Sequence, residues 1–254
     1  MVDIHSHVLY GLDDGAETLD ESLDMLRMAA ASGTTDIVAT PHADLQFPFR
    51  PDLIAERLAE LRPAVEGLIR IHSGCDFHLQ FDNIQDALKN PAKYTINGLG
   101  YLMVEFSDLV IFNNTEDIFE RMRAAGIAPV VTHPERNPLL QQKISRLERW
   151  VASGILLQVT AQSLLGHFGN TVRRCSEELM ERGIVHFIAS DAHDTENRPP
   201  RLDEAWEYVC RKFGEARAQR LLCVNPAAVL TGDPLPPPDE AAPQPKRKWY
   251  QFWS

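Results

Sequence analysis

Residues 1–231 alternate short apolar runs with amphipathic stretches. The apolar runs fall at residues 2–5, 35–40, 68–73, 101–106, 127–132, 155–160 and 184–190. Most lack strict alternation, which is the pattern of strands covered on both faces of a parallel sheet. Between them, apolar positions recur at helical spacing and the stretches have recognisable ends. Thr18 and Glu21 form a capping box that opens a helix reaching Ala31, and Gly33 closes it. Pro51 opens the next helix, where its missing N–H leaves no helical bond unmade. Segments 121–125, 148–153 and 179–182 end at Gly126, Gly154 and Gly183, each just ahead of an apolar run. Seven strand–helix units predict an α/β fold, a distorted TIM-like (β/α)7 barrel. A doubly wound open sheet has the same periodicity and stays open as the competitor.

Residues 232–254 break the pattern. They hold six prolines, three of them consecutive at 236–238, and lack apolar periodicity until the closing segment 246–253. Such a stretch buries too little to offset its ordering entropy. The expected organisation is a catalytic barrel over 1–231 and a disordered tail over 232–254. The tail sets Trp249 and Trp253 beside Lys246, Arg247 and Lys248, a composition suited to weak contact with an anionic membrane surface.

Charge and cysteine usage narrow the classes. Thirty-six acidic against 25 basic residues give a net charge of −11, and the tail's acids and bases cancel. That field repels nucleic-acid backbones, so no nucleic-acid partner is expected. No apolar run approaches bilayer-spanning length, and the first residues lack the basic start and apolar stretch of a signal peptide. Cys75, Cys175, Cys210 and Cys223 have neither CxxC spacing nor the density of a disulfide scaffold. The expected setting is the cytoplasm, with the tail at the inner face of the membrane.

The chemistry gathers at the ends of the predicted strands. His5 and His7 are two apart on an extended chain, so both imidazoles point to one side and can reach one ion. His42 follows the second strand, Asp76 the third, Glu105 ends the fourth, His133 follows the fifth, and Asp191 and His193 follow the seventh. Only the sixth, ending near Val159 and Thr160, offers no ligand. In a β/α barrel those ends converge on one face, where active sites are built. His72, His78, His167 and His186 fall elsewhere and read as structural or surface residues. Imidazole and carboxylate donors without cysteine favour manganese, iron or zinc in a hydrolytic site. The donors are too many for one ion, and two or three ions sharing a bridging carboxylate and water would use them all. No cysteine has an arginine six positions on, and GxxxxGK[ST], GxGxxG and GxSxG are absent, which removes the thiolate, P-loop, dinucleotide and serine-elbow chemistries.

The stretch from Asp3 to Ala16, DIHSHVLYGLDDGA, together with Ala39-Thr-Pro-His42, His133-Pro-Glu-Arg-Asn137 and Ser190-Asp-Ala-His193, resembles the polymerase-and-histidinol-phosphatase superfamily. Within it the chain is similar to the bacterial metal-dependent protein-tyrosine phosphatases of capsule and exopolysaccharide synthesis, over roughly residues 1–231. The resemblance implies up to three divalent ions, often manganese. It assigns His5, His7, Asp76 and Asp191 to a first ion, and Asp76, Glu105 and His133 to a second, with Asp76 bridging. Asp14, His42 and His193 fall to a third, with Asp13 the alternative to Asp14. Arg136 and Arg198 would contact the substrate phosphate, and Arg136, Asp14 and His42 take the catalytic assignment. One departure stands out: the family usually has glutamate where this chain has Asp76, which weakens a metal site or draws the ions together. The implied substrate is a tyrosine-phosphorylated, membrane-associated autokinase.

The mechanism expected is in-line attack on phosphorus by a metal-bridging hydroxide, with Arg136 holding two non-bridging oxygens. A salt bridge from Arg136 to Glu135 or another rim acid is the structural alternative. Phe47, Phe49 and Phe112, in two predicted rim loops, are available to stack on a phenyl ring. Competing functions are a small-molecule phosphatase of the histidinol-phosphate type and a metal-binding regulatory module without turnover.

Overall fold

The computed structural model describes residues 1–237. Its strands run in chain order: β1 (Val2–Ser6), β2 (Asp36–Ala39), β3 (His42–Ala43), β4 (Arg70–Ser73), β5 (Asp76–His78), β6 (Tyr101–Glu105), β7 (Ala128–Val131), β8 (Leu156–Thr160) and β9 (Phe187–Ala189). All pairings are parallel, and the strands follow chain order around the sheet once β2 with β3, and β4 with β5, are each counted as one interrupted strand. That order excludes the doubly wound alternative, in which the strand sequence reverses. The curled sheet returns on itself between β9 and β1, where Asp191 N donates to His5 O at 2.9 Å and His7 N to Ala192 O at 2.8 Å.

The distortion has a local cause. Beyond the second and third predicted strands the chain breaks, at Thr40-Pro41 and at Gly74-Cys75, and resumes as short strands that the sequence did not predict, β3 and β5, so that β1-β2-β4 form one sheet and β3-β5-β6-β7-β8-β9 the other. Proline cannot donate to the ladder. At Gly74 a Cβ would lie 2.9 Å from Val38 Cγ1 and 3.1 Å from Thr40 Cγ2, so a glycine here leaves room for the side chains of the neighbouring strand. The kinks separate each lower strand from the upper piece that carries His42 or Asp76.

Eleven α-helices lie among the described residues, beside two short 3-10 turns and one π-helical turn. They are α1 (Leu19–Ala31), α2 (Pro51–Ala64), α3 (Phe81–Lys89), α4 (Thr115–Ala124), α5 (Pro138–Gln141), α6 (Ile144–Ala152), α7 (Ala161–Leu165), α8 (Asn170–Glu181), α9 (Asp203–Phe213), α10 (Glu215–Gln219) and α11 (Asn225–Thr231). Thr18 Oγ1 accepts from Glu21 N at 3.2 Å as the N-cap of α1, but the Glu21 carboxylate takes the Glu17 N–H instead of Thr18's own. Gly33, Gly126, Gly154 and Gly183 sit at φ between +73° and +91°, ending their helices as the sequence predicts. Buried apolar side chains line the strands between barrel and helices, with Trp150, Phe77 and Phe187 the largest.

Residues 232–235 turn back under the barrel: Tyr101 Oη donates to Asp233 O at 2.6 Å and Leu235 packs on the cluster around Val2 and Ile4. The expected membrane-contacting segment, 246–253, lies outside the described residues. No helix among the described residues is long and apolar enough to cross a membrane.

Candidate metal centre

At the C-terminal ends of the strands, the nine side chains named as ligands fall into four overlapping groups: His7, Asp14, His42 and His193; His5, His7 and Asp76; His5, His133 and Asp191; His42, Asp76 and Glu105. Within each, the donor atoms lie within 4.8 Å of one another. His5 Nε2 is 3.3 Å from Asp76 Oδ2 and 3.4 Å from Asp191 Oδ1. His42 presents both ring nitrogens, Nδ1 at 3.4 Å from Asp76 and Nε2 at 3.3 Å from Asp14. Glu105 lies 3.6 Å from His133. The shorter Asp76 therefore still reaches both His5 and His42 from the start of β5.

The backbone is bent to achieve this. His133 has φ +31° and Asp191 φ +52°, left-handed values that cost non-glycine residues and that gather at functional sites. A Cβ on Gly15 would lie 2.1 Å from His7 O, so glycine there lets the loop carrying Asp13 and Asp14 press onto β1.

Hydrogen bonds at the rear fix which nitrogen each imidazole shows. Asp13 Oδ2 accepts from His7 Nδ1 at 2.7 Å, Gln158 Oε1 from His5 Nδ1 at 3.1 Å, and the Asp191 carbonyl from His193 Nδ1 at 3.0 Å. In each case Nε2 is left to face the cluster, the arrangement that orients metal-binding histidines. Asp13 also takes the His42 and Gly15 N–H groups, so its oxygens are engaged while Asp14 Oδ1 faces His42 and His193.

The residue set fits divalent cations. His5 Nε2, His7 Nε2, His42 Nδ1 and both Asp76 oxygens are buried without a hydrogen-bond partner. Such groups are costly to bury unpaired, and a cation between them would satisfy several at once. Burial opposes charge on His5, yet Asp191 and Asp76 outweigh it and push its pKa to about 9. His42, similarly buried, is raised to about 10 by Asp14, Asp76 and Glu105. Burial, reinforced by Arg136, drops His133 to about 3; burial and a charged His7 drop His193 to about 4. Burial works to raise Asp76 and Asp191, but the surrounding imidazoles hold both carboxyls below the ordinary range. Mixed protonated and neutral imidazoles around ionised carboxylates are what a cation of higher charge would replace.

Beside the cluster opens a cleft of about 240 Å³ whose lining includes His78, Glu105, His133, Arg136 and Asn137. Of the two structural alternatives, Arg136 takes the second: it pairs with another acid of the site, Asp191, and not with Glu135. Its Nη1 meets Asp191 Oδ2, joined there by Arg198 Nη2 at 2.5 Å. Arg136 also lies 4.6 Å over the Phe168 ring. Glu135 is instead buried against Thr160 N at 2.9 Å, and burial raises its pKa to about 7.

Several roles were not visible beforehand. The sixth strand supplies no ligand but gives Gln158, a polar side chain in an apolar run, which was the one available signal. His78, read as structural or surface, lies 3.5 Å from Glu105 Oε2 in the cleft wall. Of the rim aromatics, Phe47 stacks over His42 at 6.0 Å, whereas Phe49 stacks on Tyr94 and packs on the core. His72 pairs with Asp36, His186 accepts from Leu157 N, and His167 is exposed. Cys75 is a buried thiol whose pKa burial raises.

Comparison with known proteins decides the family. The model of the capsular polysaccharide synthesis family CpsB/CapC matches residues 1–231. The chain belongs to this CpsB/CapC family. A putative tyrosine-protein phosphatase CapC of Staphylococcus aureus is 37% identical over 210 residues, covering 80% of this chain and 81% of that protein. The tyrosine-protein phosphatase YwqE of Bacillus subtilis is 32% identical over 218 residues, covering 84% and 85%. Among solved structures, work on B. subtilis YwqE and Streptococcus pneumoniae CpsB, described there as unique metal-dependent tyrosine phosphatases, matches with TM-score 0.86. That match is 29% identical and covers 92% of this chain and 96% of the other. The phosphotriesterase homology protein of Escherichia coli, 10% identical with TM-score 0.59, covers 89% and 97% and shares the fold alone.

Proposed function

We propose that this CpsB/CapC protein is a metal-dependent protein-tyrosine phosphatase of capsule or exopolysaccharide synthesis. Its substrate is a tyrosine-phosphorylated protein, a membrane-associated autokinase, met at the inner face of the membrane from the cytoplasm. The observation that carries the reading is the set of buried, unpartnered donor atoms of His5, His7, His42 and Asp76, with two arginines converging on Asp191 beside an open cleft. The phosphatase names of the relatives support it.

His5, His7, Asp76 and Asp191 would hold a first divalent ion, Asp76, Glu105 and His133 a second, and Asp14, His42 and His193 a third, manganese being the preferred metal. Bound there, the ions supply Lewis acidity and lower the pKa of water toward neutrality. Arg136, in the cleft wall, and Arg198, beside it on Asp191, bind the phosphoryl oxygens with their forked donors and offset the charge that builds on them in the transition state. Asp191 keeps both guanidiniums oriented when the cleft is empty. The departing phenolate has an ordinary pKa near 10, so it leaves without a strong general acid. Asp13 and Gln158 hold His7 and His5 to one tautomer throughout.

Phosphate release from a phosphotyrosine peptide by metal-stripped protein tests this, with manganese restored and vanadate as control. Turnover that returns with manganese and is little affected by vanadate is expected. No turnover with manganese, iron or zinc contradicts the proposal.

A further inference from the structure

The segment between β6 and α4 is tied at both feet and bare at its tip. Asn137 holds the first foot: its Nδ2 donates to Ser107 O at 3.0 Å and Phe106 O at 3.4 Å, while its Oδ1 accepts from Leu139 N and Leu140 N at 3.0 Å. At the second foot, Phe112 O accepts from Thr115 Oγ1 at 2.6 Å and from an Arg146 Nη2 at 3.2 Å. Between them Leu109 is 91% exposed, Val110 52% and Phe112 37%. Single apolar side chains on a surface need no explanation, but a group of them held in water by a doubly anchored loop does.

The two feet border different depressions. Phe106, Ser107 and Asp108 form a wall of the cleft that contains Glu105, His133 and Arg136. Asn113 lines a second depression of about 360 Å³ with Lys143, Arg146 and Arg149. Arg146 is engaged by Glu116 at 2.8 Å, while Lys143 and Arg149 stand exposed. Three cations against one acid, Glu116, at one depression stand out on a chain of net charge −11.

We propose that residues 106–114 form a peptide-docking ridge. The substrate segment carries an aliphatic residue beside its phosphotyrosine, which lies on Leu109 and Val110, and an acidic residue farther along, which meets Lys143 and Arg149. The inference rests on the phosphatase reading above and adds which phosphotyrosine segments the site takes. Continuity with the metal-side cleft sets where the phosphotyrosine lies. The sign of the second depression selects an acidic occupant; the chain's own basic segment at Lys246, Arg247 and Lys248 has the wrong charge for it.

Three peptides of equal length test the ridge on manganese-loaded full-length protein. One has leucines flanking the phosphotyrosine and a glutamate beyond; the second has serines for the leucines; the third has lysine for the glutamate. Burying one or two aliphatic side chains predicts a kcat/KM about tenfold higher for the leucine peptide than for the serine peptide. The lysine peptide is expected to fall below its glutamate counterpart, most clearly at low salt. The double variant Leu109→Ser, Val110→Ser changes exposed positions only. It should lose the leucine preference and keep the wild-type rate on p-nitrophenyl phosphate, which is too small to reach the ridge. A serine peptide as good as the leucine one, a lysine peptide as good as the glutamate one, or a leucine preference that survives in the double variant overturns the ridge and leaves the phosphatase reading intact. Absence of turnover on every substrate, p-nitrophenyl phosphate included, removes the phosphatase reading and the ridge with it.

Discussion

Asp36 and Asp76 are two buried aspartates in one barrel, one in each of its two sheets, each facing histidine, and they are used in opposite ways. Asp36, at the start of β2, accepts from Arg70 Nε at 2.7 Å, His72 Nε2 at 2.9 Å and Thr35 Oγ1 at 2.9 Å. His72 continues to Asn97, and Asn97 to Leu230 O at 3.0 Å, so α11, the last helix among the described residues, is fastened to the lower sheet. Asp76, at the start of β5, faces His5 and His42 at 3.3 and 3.4 Å, and neither of its oxygens has a hydrogen-bond partner. Residue type does not separate a structural ion pair from a ligand set here, because both clusters are aspartate and histidine. What separates them is whether the polar atoms are satisfied by the protein itself.

The contrast predicts opposite outcomes for the same change. Asp76→Asn should abolish metal retention and lower phosphatase turnover by about a thousandfold, read from metal content and phosphate release. Asp36→Asn should leave turnover per folded molecule near wild type and cost about 1–3 kcal/mol of stability, read from urea unfolding. Similar losses of activity in both variants would erase the distinction.

The histidine supports are the next test. Gln158→Ala frees the His5 ring without touching a proposed ligand, so metal affinity should fall about 10–100-fold. A metal titration of the stripped protein measures it, and unchanged affinity would make Gln158 a packing residue only.

The smallest effect is on pH dependence. In the metal-free protein His5 and His42 are raised to about 9 and about 10. Each then stabilises the fold fully below the unfolded value near 6.5, and that contribution is lost as pH rises toward 9–10. Metal must displace the same protons, so apparent metal affinity climbs over that window. The unfolding midpoint of stripped protein should therefore fall between pH 6.5 and 9, and the gain on adding manganese should widen. A gap that narrows with rising pH would contradict the protonated imidazoles.

Much of this was legible in the sequence, for a physical reason. A strand of fixed period delivers His5 and His7 to one side, and a β/α barrel brings strand ends together, so His42, Asp76, Glu105, His133, Asp191 and His193 could be named without coordinates. Positions set by loops were less legible. Which of Asp13 and Asp14 faces the cluster depends on how closely the loop presses on His7, which Gly15 permits. The breaks in the second and third strands carried signals, Pro41 and Gly74, but their effect on the sheet depends on contacts with Val38 that only the fold creates. The tether of Arg136 and Arg198 to Asp191 joins residues 55 and 7 positions apart, and no local pattern announces it.

Anomalous scattering at the manganese edge, from crystals of the protein loaded with that metal, tests the central claim most directly. The account predicts two or three peaks enclosed by His5, His7, Asp14, His42, Asp76, Glu105, His133, Asp191 and His193, with the Asp36–His72 pair empty. No peak within that set, in protein that turns over phosphotyrosine, would contradict it.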